Sequence, residues 1–205
     1  ALSAIEQSIQ LKGQSAKFKG NYKLGNGQGE MYGDIAWMPG LKGNLTISGE
    51  ELEFDYQSMI KAKVSPNINI IFEPNNLEIN GEVTIPYARV KVRELPKDSI
   101  SPSKDVILVE KQAELNASQQ RLALNVLLKV DPRRSNNVKL DAFGLTTDLR
   151  GELRLQNNKT EIFGSGEVQL VNGRYRAYGQ NLIIREGDIL FTSSLDRPFL
   201  NIEAI

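Results

Sequence analysis

The side chains best able to do chemistry in this sequence of 205 residues are its carboxylates, because histidine and cysteine are both absent. Without imidazole or thiolate there is no serine–histidine or cysteine nucleophile, no usual zinc ligand set and no histidine general base. Two carboxylate pairs, Glu50–Glu51 and Glu186–Asp188, have the residue types for acid–base work or calcium binding. Both read as turn residues, where acids are simply solvated, and calcium gathers more oxygen ligands than a pair supplies. The run Gly25-Asn26-Gly27-Gln28-Gly29 has the glycine content of a phosphate loop, but the residues after it, Met31–Met38, read as strand rather than as the helix such a loop requires. Gly164-Ser165-Gly166 lacks the histidine partner and flanks of a nucleophile elbow and reads as a strand kink. The expectation is therefore no catalytic residue, no metal, no cofactor and no enzymatic activity.

The elements behind these residues are strands. Leu52, Phe54 and Tyr56 alternate with Glu51, Glu53, Asp55 and Gln57, and the same period of two recurs in Ile68, Ile70 and Phe72. Val83 and Ile85 form one alternating set and Val90 and Val92 another; the phase slips between them beside Pro86, which predicts a bulge or an edge. The clearest strand carries Leu122, Leu124, Val126, Leu128 and Val130 against Arg121, Asn125 and Lys129. Pro39-Gly40, Asn75-Asn76, Asn80-Gly81, Asn136-Asn137, Asn157-Asn158, Asn172-Gly173 and Gly187-Asp188 have the chemistry of tight turns. Short connections imply antiparallel neighbours, since parallel strands need long crossovers. The opening segment, with Leu2, Ile5 and Ile9, fits either a helical turn or an irregular strand. Pro96–Lys104, with two prolines and three serines, reads as a mobile loop within a single domain spanning 1–205.

Composition sets the outer bounds. Lys and Arg number 25 and Asp and Glu 25, so the formal net charge is zero, which argues against a nucleic-acid partner. No stretch nears the roughly 18 apolar residues of a spanning helix; patches such as Val106–Val109 and Val126–Leu128 are strand-sized. The chain opens without Met or a signal segment and stops in a strand-like stretch, Phe199–Ile205, as though cut from a longer protein. Alternation by itself fits a closed sandwich core and an open apolar groove equally well.

The last stretch, VNGRYRAYGQNLIIREGDILFTSSLDRPFLNIEAI (171–205), resembles the C-terminal domain of the TamB family, subunits of the bacterial translocation and assembly module. Gly173, Tyr175, Tyr178-Gly179-Gln180, Gly187, Phe191, Asp196, Pro198 and Leu200 carry the match, and Phe143–Leu155 extends it upstream. The resemblance implies an all-β fold: an elongated, curved antiparallel sheet folded into a U-shaped open groove with an apolar interior. It implies a periplasmic location within a protein anchored in the inner membrane by an N-terminal segment that is absent here. The partners it implies are the outer-membrane Omp85-family barrel protein TamA, phospholipid acyl chains and nascent outer-membrane proteins. On this basis Leu52, Phe54, Ile68, Ile70, Phe72, Leu122, Leu124, Val126 and Leu128 are the residues expected to line the groove. The expected function is phospholipid transport between the two membranes, assembly of outer-membrane proteins such as autotransporters, or both. The alternatives are a scaffold that binds nascent strands by strand addition and a structural spacer.

Overall fold

The computed structural model describes residues 2–56, 59–92, 121–131, 133, 137–158, 161–177 and 179–205. Their regular structure is strand throughout, in one sheet of thirteen strands. In chain order these are β1 (Leu2–Lys12), β2 (Ser15–Leu24), β3 (Gly27–Ala36), β4 (Lys42–Glu50), β5 (Leu52–Tyr56), β6 (Ile60–Glu73) and β7 (Asn76–Val92). After the connection come β8 (Arg121–Val130), β9 (Val138–Ala142), β10 (Leu145–Asn158), β11 (Glu161–Ala177), β12 (Gln180–Phe191) and β13 (Phe199–Ala204). The opening segment is thus the strand β1, and an irregular one, with its register broken between Ser3 and Glu6.

Strand order in the sheet is β1-β2-β3-β4-β6-β7-β8-β10-β11-β12-β13, with β5 beside β6 and β9 between β7 and β10. Most pairings join strands adjacent in sequence and are antiparallel, as short turns require; β4–β6 and β8–β10 are antiparallel but skip a strand. The sheet is nonetheless mixed: β7 runs parallel to both β8 and β9. This departs from the all-antiparallel expectation. A parallel return needs a long connection, and residues 93–120 supply one. That connection lies outside the described residues, as do the expected loop Pro96–Lys104, the patch Val106–Val109 and Asn136.

Pro86 explains the local slip. Opposite it the β6–β7 register shifts between Lys63 and Ser65, so β7 carries one extra residue there. On its other side the β8 ladder ends at Ile85↔Val130 and the β9 ladder begins at Ala88↔Val138. A residue with no N–H sits where one partner strand gives way to the next.

Several expected turns are mid-strand instead. Gly25-Asn26, Pro39-Gly40 and Asn75 do connect strands, but Asn80-Gly81 lies inside β7, Asn172-Gly173 inside β11 and Gly187-Asp188 inside β12. Asn172 adopts φ 57° where the β10–β11 register shifts, so turn chemistry is used there for a bulge. Gly81, at φ 144°, faces the carbonyl oxygen of Asn67, which a Cβ would approach to 2.1 Å.

Apolar burial is thin for a domain of this size. Among the described residues seven apolar side chains are buried, while eighteen large ones are exposed. A sandwich closed over its inner faces would reverse that balance.

Candidate functional site: one continuous apolar face

Residues directly opposite across a ladder point to the same face, so register carries a face from strand to strand. From Ile9 the path runs to Phe18, from Phe18 to Gly33 and from Gly33 to Leu45. It continues through Leu45↔Ile70, Ile70↔Ile79 and Ile79↔Leu124. Past the parallel pair, Val126↔Leu155 and Leu128↔Leu153 hand it to β10. Gly151↔Val168, Val168↔Ile189 and Ile189↔Leu200 complete it to the far edge. One apolar face therefore spans the whole sheet, from β1 to β13.

All nine of the residues expected to line a groove fall on this face. Leu52 (5% exposed) and Val126 (8%) are buried; Ile68, Ile70, Phe72, Leu124 and Leu128 are half-buried; Leu122 and Phe54 (50%) are exposed. Phe54 pairs with Ala62, and Leu52 with Val64, extending the face onto β5. The face also holds residues outside that set: Phe18, Tyr22, Leu45, Ile47, Leu153, Leu155, Val168 and Ile189. Their strands carry glycine at neighbouring apolar-face positions, which hides the alternation. Counting glycine as a small inward residue would have revealed Gly27, Gly29, Met31, Gly33 and Ile35 as one alternating set.

Those glycines have a steric reason. A Cβ at Gly29 would lie 2.4 Å from the Tyr22 ring, at Gly43 2.6 Å from the Phe72 ring and at Gly49 2.7 Å from Leu52. Large side chains thus lie flat across neighbouring glycines, and the Tyr22 hydroxyl donates to the Ser48 carbonyl at 3.1 Å. Small residues on one face relieve crowding when a sheet bends toward that face.

The opposite face is polar and cross-linked. Lys129 Nζ meets Glu82 at 2.9 Å, Lys63 meets Glu51 at 3.1 Å and Lys139 meets Asp148 at 3.6 Å. The hydrogen bond that Lys63 donates to the Glu51 carboxylate is the chief reason its ammonium sits above its ordinary pKa. Arg154 donates to Asn125, and Asn69 to Asn44 and Thr46. Asn157 completes the backbone pairing at the start of β8: its side chain accepts from the Leu124 amide at 2.6 Å and donates to the Leu122 carbonyl at 2.5 Å.

Neither carboxylate pair forms a centre. Glu50 and Glu51 sit at the β4–β5 junction, where Glu51 takes φ 47°, and Glu186 and Asp188 lie mid-strand in β12 rather than in a turn. No group of three or more acidic residues placed to hold a metal occurs among the described residues. No helix among them is long and apolar enough to cross a membrane.

The TamB C-terminal domain family model matches residues 16–205. A curated relative from Haemophilus influenzae, the translocation and assembly module subunit TamB, is 34% identical over 169 residues. That match covers 78% of this chain and 13% of the relative, so the chain corresponds to a small part of that protein's length. The family match over nearly the whole chain and an identity above 30% lead to one conclusion: this chain belongs to the TamB C-terminal domain family.

Proposed function

We propose that this chain is a non-enzymatic length of trough in a bacterial envelope protein, serving the translocation and assembly module by carrying phospholipid acyl chains along its apolar face. The observation that carries this reading is the register-continuous apolar face, much of it half-buried or exposed, from Ile9 at one edge to Leu200 at the other. Moving one acyl chain through water exposes roughly 16 methylenes at about 0.8 kcal/mol each, on the order of 13 kcal/mol. An unbroken apolar strip removes most of that barrier, because a sliding chain exchanges one hydrocarbon contact for the next. Head groups stay in water at the strip's margins. The nine residues from Leu52 to Leu128 named above form the central part of this path, and the periplasm is the compartment it would bridge. The Omp85-family barrel TamA is the outer-membrane partner this reading calls for.

The test is site-specific crosslinking in cells with the full-length protein. A photoreactive residue at Leu124, on the apolar face, should yield lipid adducts. The same residue at Asn125, exposed on the opposite face beside Arg154, should not. Adducts of Leu124 with this chain alone would place β8 in a closed core and sink the reading.

A second reading has its own support: among the described residues β1 and β13 each have one neighbour and form the edges of the sheet. Such an edge can hold a nascent strand of an outer-membrane protein by strand addition. Proline substitutions along the edges would then abolish assembly activity while lipid adducts at Leu124 persist.

A further inference from the structure

One rim of the sheet is built from turns that touch in sequence. The Trp37 amide donates to the Gln14 carbonyl at 3.1 Å, joining the β3–β4 connection to the β1–β2 turn. A Cβ at Gly40 would lie 3.0 Å from Pro74, joining it to the β6–β7 turn, and the Arg121 amide donates to the Asn75 carbonyl at 2.8 Å. Lys12 closes β1, Lys42 opens β4 and Arg121 opens β8, all on this rim. Counted along the ladder they stand three strands apart each time, roughly 14 Å at about 4.8 Å per strand. Their register partners, Ser15, Ala36 and Asn76, put all three on the outer face, at the lip of the apolar one. All three are exposed, and none has a carboxylate partner among the described residues. On the other rim Lys61 is paired with Asp55, while Lys23 and Lys91, exposed there, have no carboxylate partner among the described residues but no indole beside them. Between the first two cations stand Trp37 (43% exposed), Met38 (58%) and Leu41 (54%). An amphipathic indole beside cations is the side-chain combination found where hydrocarbon meets head group.

We propose that this rim is a head-group rail: Lys12, Lys42 and Arg121 hold the phosphates of phospholipids whose acyl chains lie on the apolar face, with Trp37 at the level of the glycerol. The proposal rests on the lipid-carrying reading and adds to it which lip the head groups follow and which group is recognised. The long aliphatic stems of the cations allow each charge to lean over the lip while the base stays on the outer face. Glu73, exposed at the end of β6, stands between Lys42 and Arg121 and opposes them.

The test compares uptake by the purified chain of phosphatidylglycerol and of diacylglycerol with the same acyl chains. Trp37, the sole tryptophan, serves as the fluorescent reporter. The wild-type chain should prefer the phospholipid by about 2- to 5-fold per phosphate held, as exposed ion pairs allow, and the preference should shrink with added salt. The triple variant Lys12→Gln, Lys42→Gln, Arg121→Gln should take up both lipids equally, with diacylglycerol uptake unchanged. Glu73→Gln should raise the preference, and Lys61→Gln on the other rim should leave it alone. A triple variant that keeps the preference overturns the rail, as does a Lys61→Gln variant that loses it to the same extent. Equal uptake of the two lipids by the wild-type chain refutes the rail alone; uptake of neither refutes the lipid-carrying reading and the rail with it. A blue shift of Trp37 with inorganic phosphate alone would assign the cations to free anions and overturn the lipid assignment.

Discussion

An aspartate placed at two positions on one strand separates an open apolar face from a closed core. Leu122 and Val126 both lie on the apolar face of β8, but Leu122 is 37% exposed and Val126 8%. At Val126 the substitution loses about 1.5–3 kcal/mol of side-chain burial. It also strands a carboxylate with no cationic partner, which adds several kcal/mol more. The sum, about 5 kcal/mol, is a large part of the 5–15 kcal/mol typical of a domain. At Leu122 roughly two-thirds of the leucine contribution is lost, about 1–2 kcal/mol, and the carboxylate keeps its water. At about 2–4 °C per kcal/mol for a chain of this size, Leu122→Asp should lower Tm by roughly 2–8 °C and Val126→Asp by more than 10 °C. Circular dichroism melts read the stability, and lipid uptake by the purified chain reads the function. Leu122→Asp should stay folded and lose uptake. If it melts as early as Val126→Asp, the face is a closed core; if it takes up lipid normally, the face is not the path.

Other consequences are as direct. Asn157→Ala removes two bonds to the β8 backbone, each worth about 0.5–1.5 kcal/mol, so hydrogen exchange at the Leu124 amide should accelerate while β6 keeps its protection. Gly81→Ala puts a Cβ 2.1 Å from the Asn67 carbonyl oxygen at φ 144° and should cost about 2–4 kcal/mol in urea unfolding, more than the same change at Gly13, which bears the strain of φ 59° but has nothing within 4 Å. Burial raises the pKa of the Tyr22 phenol, so in an ultraviolet titration one tyrosine should ionise above the ordinary phenol range. The folded pKa lies above the unfolded one, so this contribution to stability is complete below about pH 10 and is lost as pH rises through the folded value. Tyr22→Phe should abolish that late phase.

The strands and the apolar face of β8 were legible because alternation is local: five apolar residues at spacing two, from Leu122 to Val130, need no knowledge of partners. The bulge at Pro86 was legible for the same reason, since the phase slip and the missing N–H sit side by side. The parallel β7–β8 seam was not. Nothing within β7 or β8 encodes which strand will lie beside it, and their pairing depends on a return through residues 93–120. Asn80-Gly81 and Asn172-Gly173 misled in another way. The same dipeptides serve hairpins and strand interiors, and only the cross-strand approach to Asn67 and the bulge at Asn172 show which use applies. Of the site, the nine residues chosen came from glycine-poor runs; Phe18, Ile47 and Val168 were missed because glycines broke the count. The rim formed by Lys12, Lys42 and Arg121 had no signal at all in the sequence, because strand order alone brings those residues into line.

Strand order has a mechanical consequence. Each strand is held by its neighbours in the ladder, and among the described residues β1 and β13 have one neighbour each, so a load applied across this sheet at those two strands does not shear many hydrogen bonds at once. It peels β1 or β13 one residue pair at a time, as a zip opens, and the next strand becomes the new edge. The resisting force stays low and nearly constant, because every strand, the 17-residue β7 and β11 included, has become an edge by the time it is peeled. Tension across the sheet is therefore met by stepwise lengthening at the margins, while the seam at its centre gives way last.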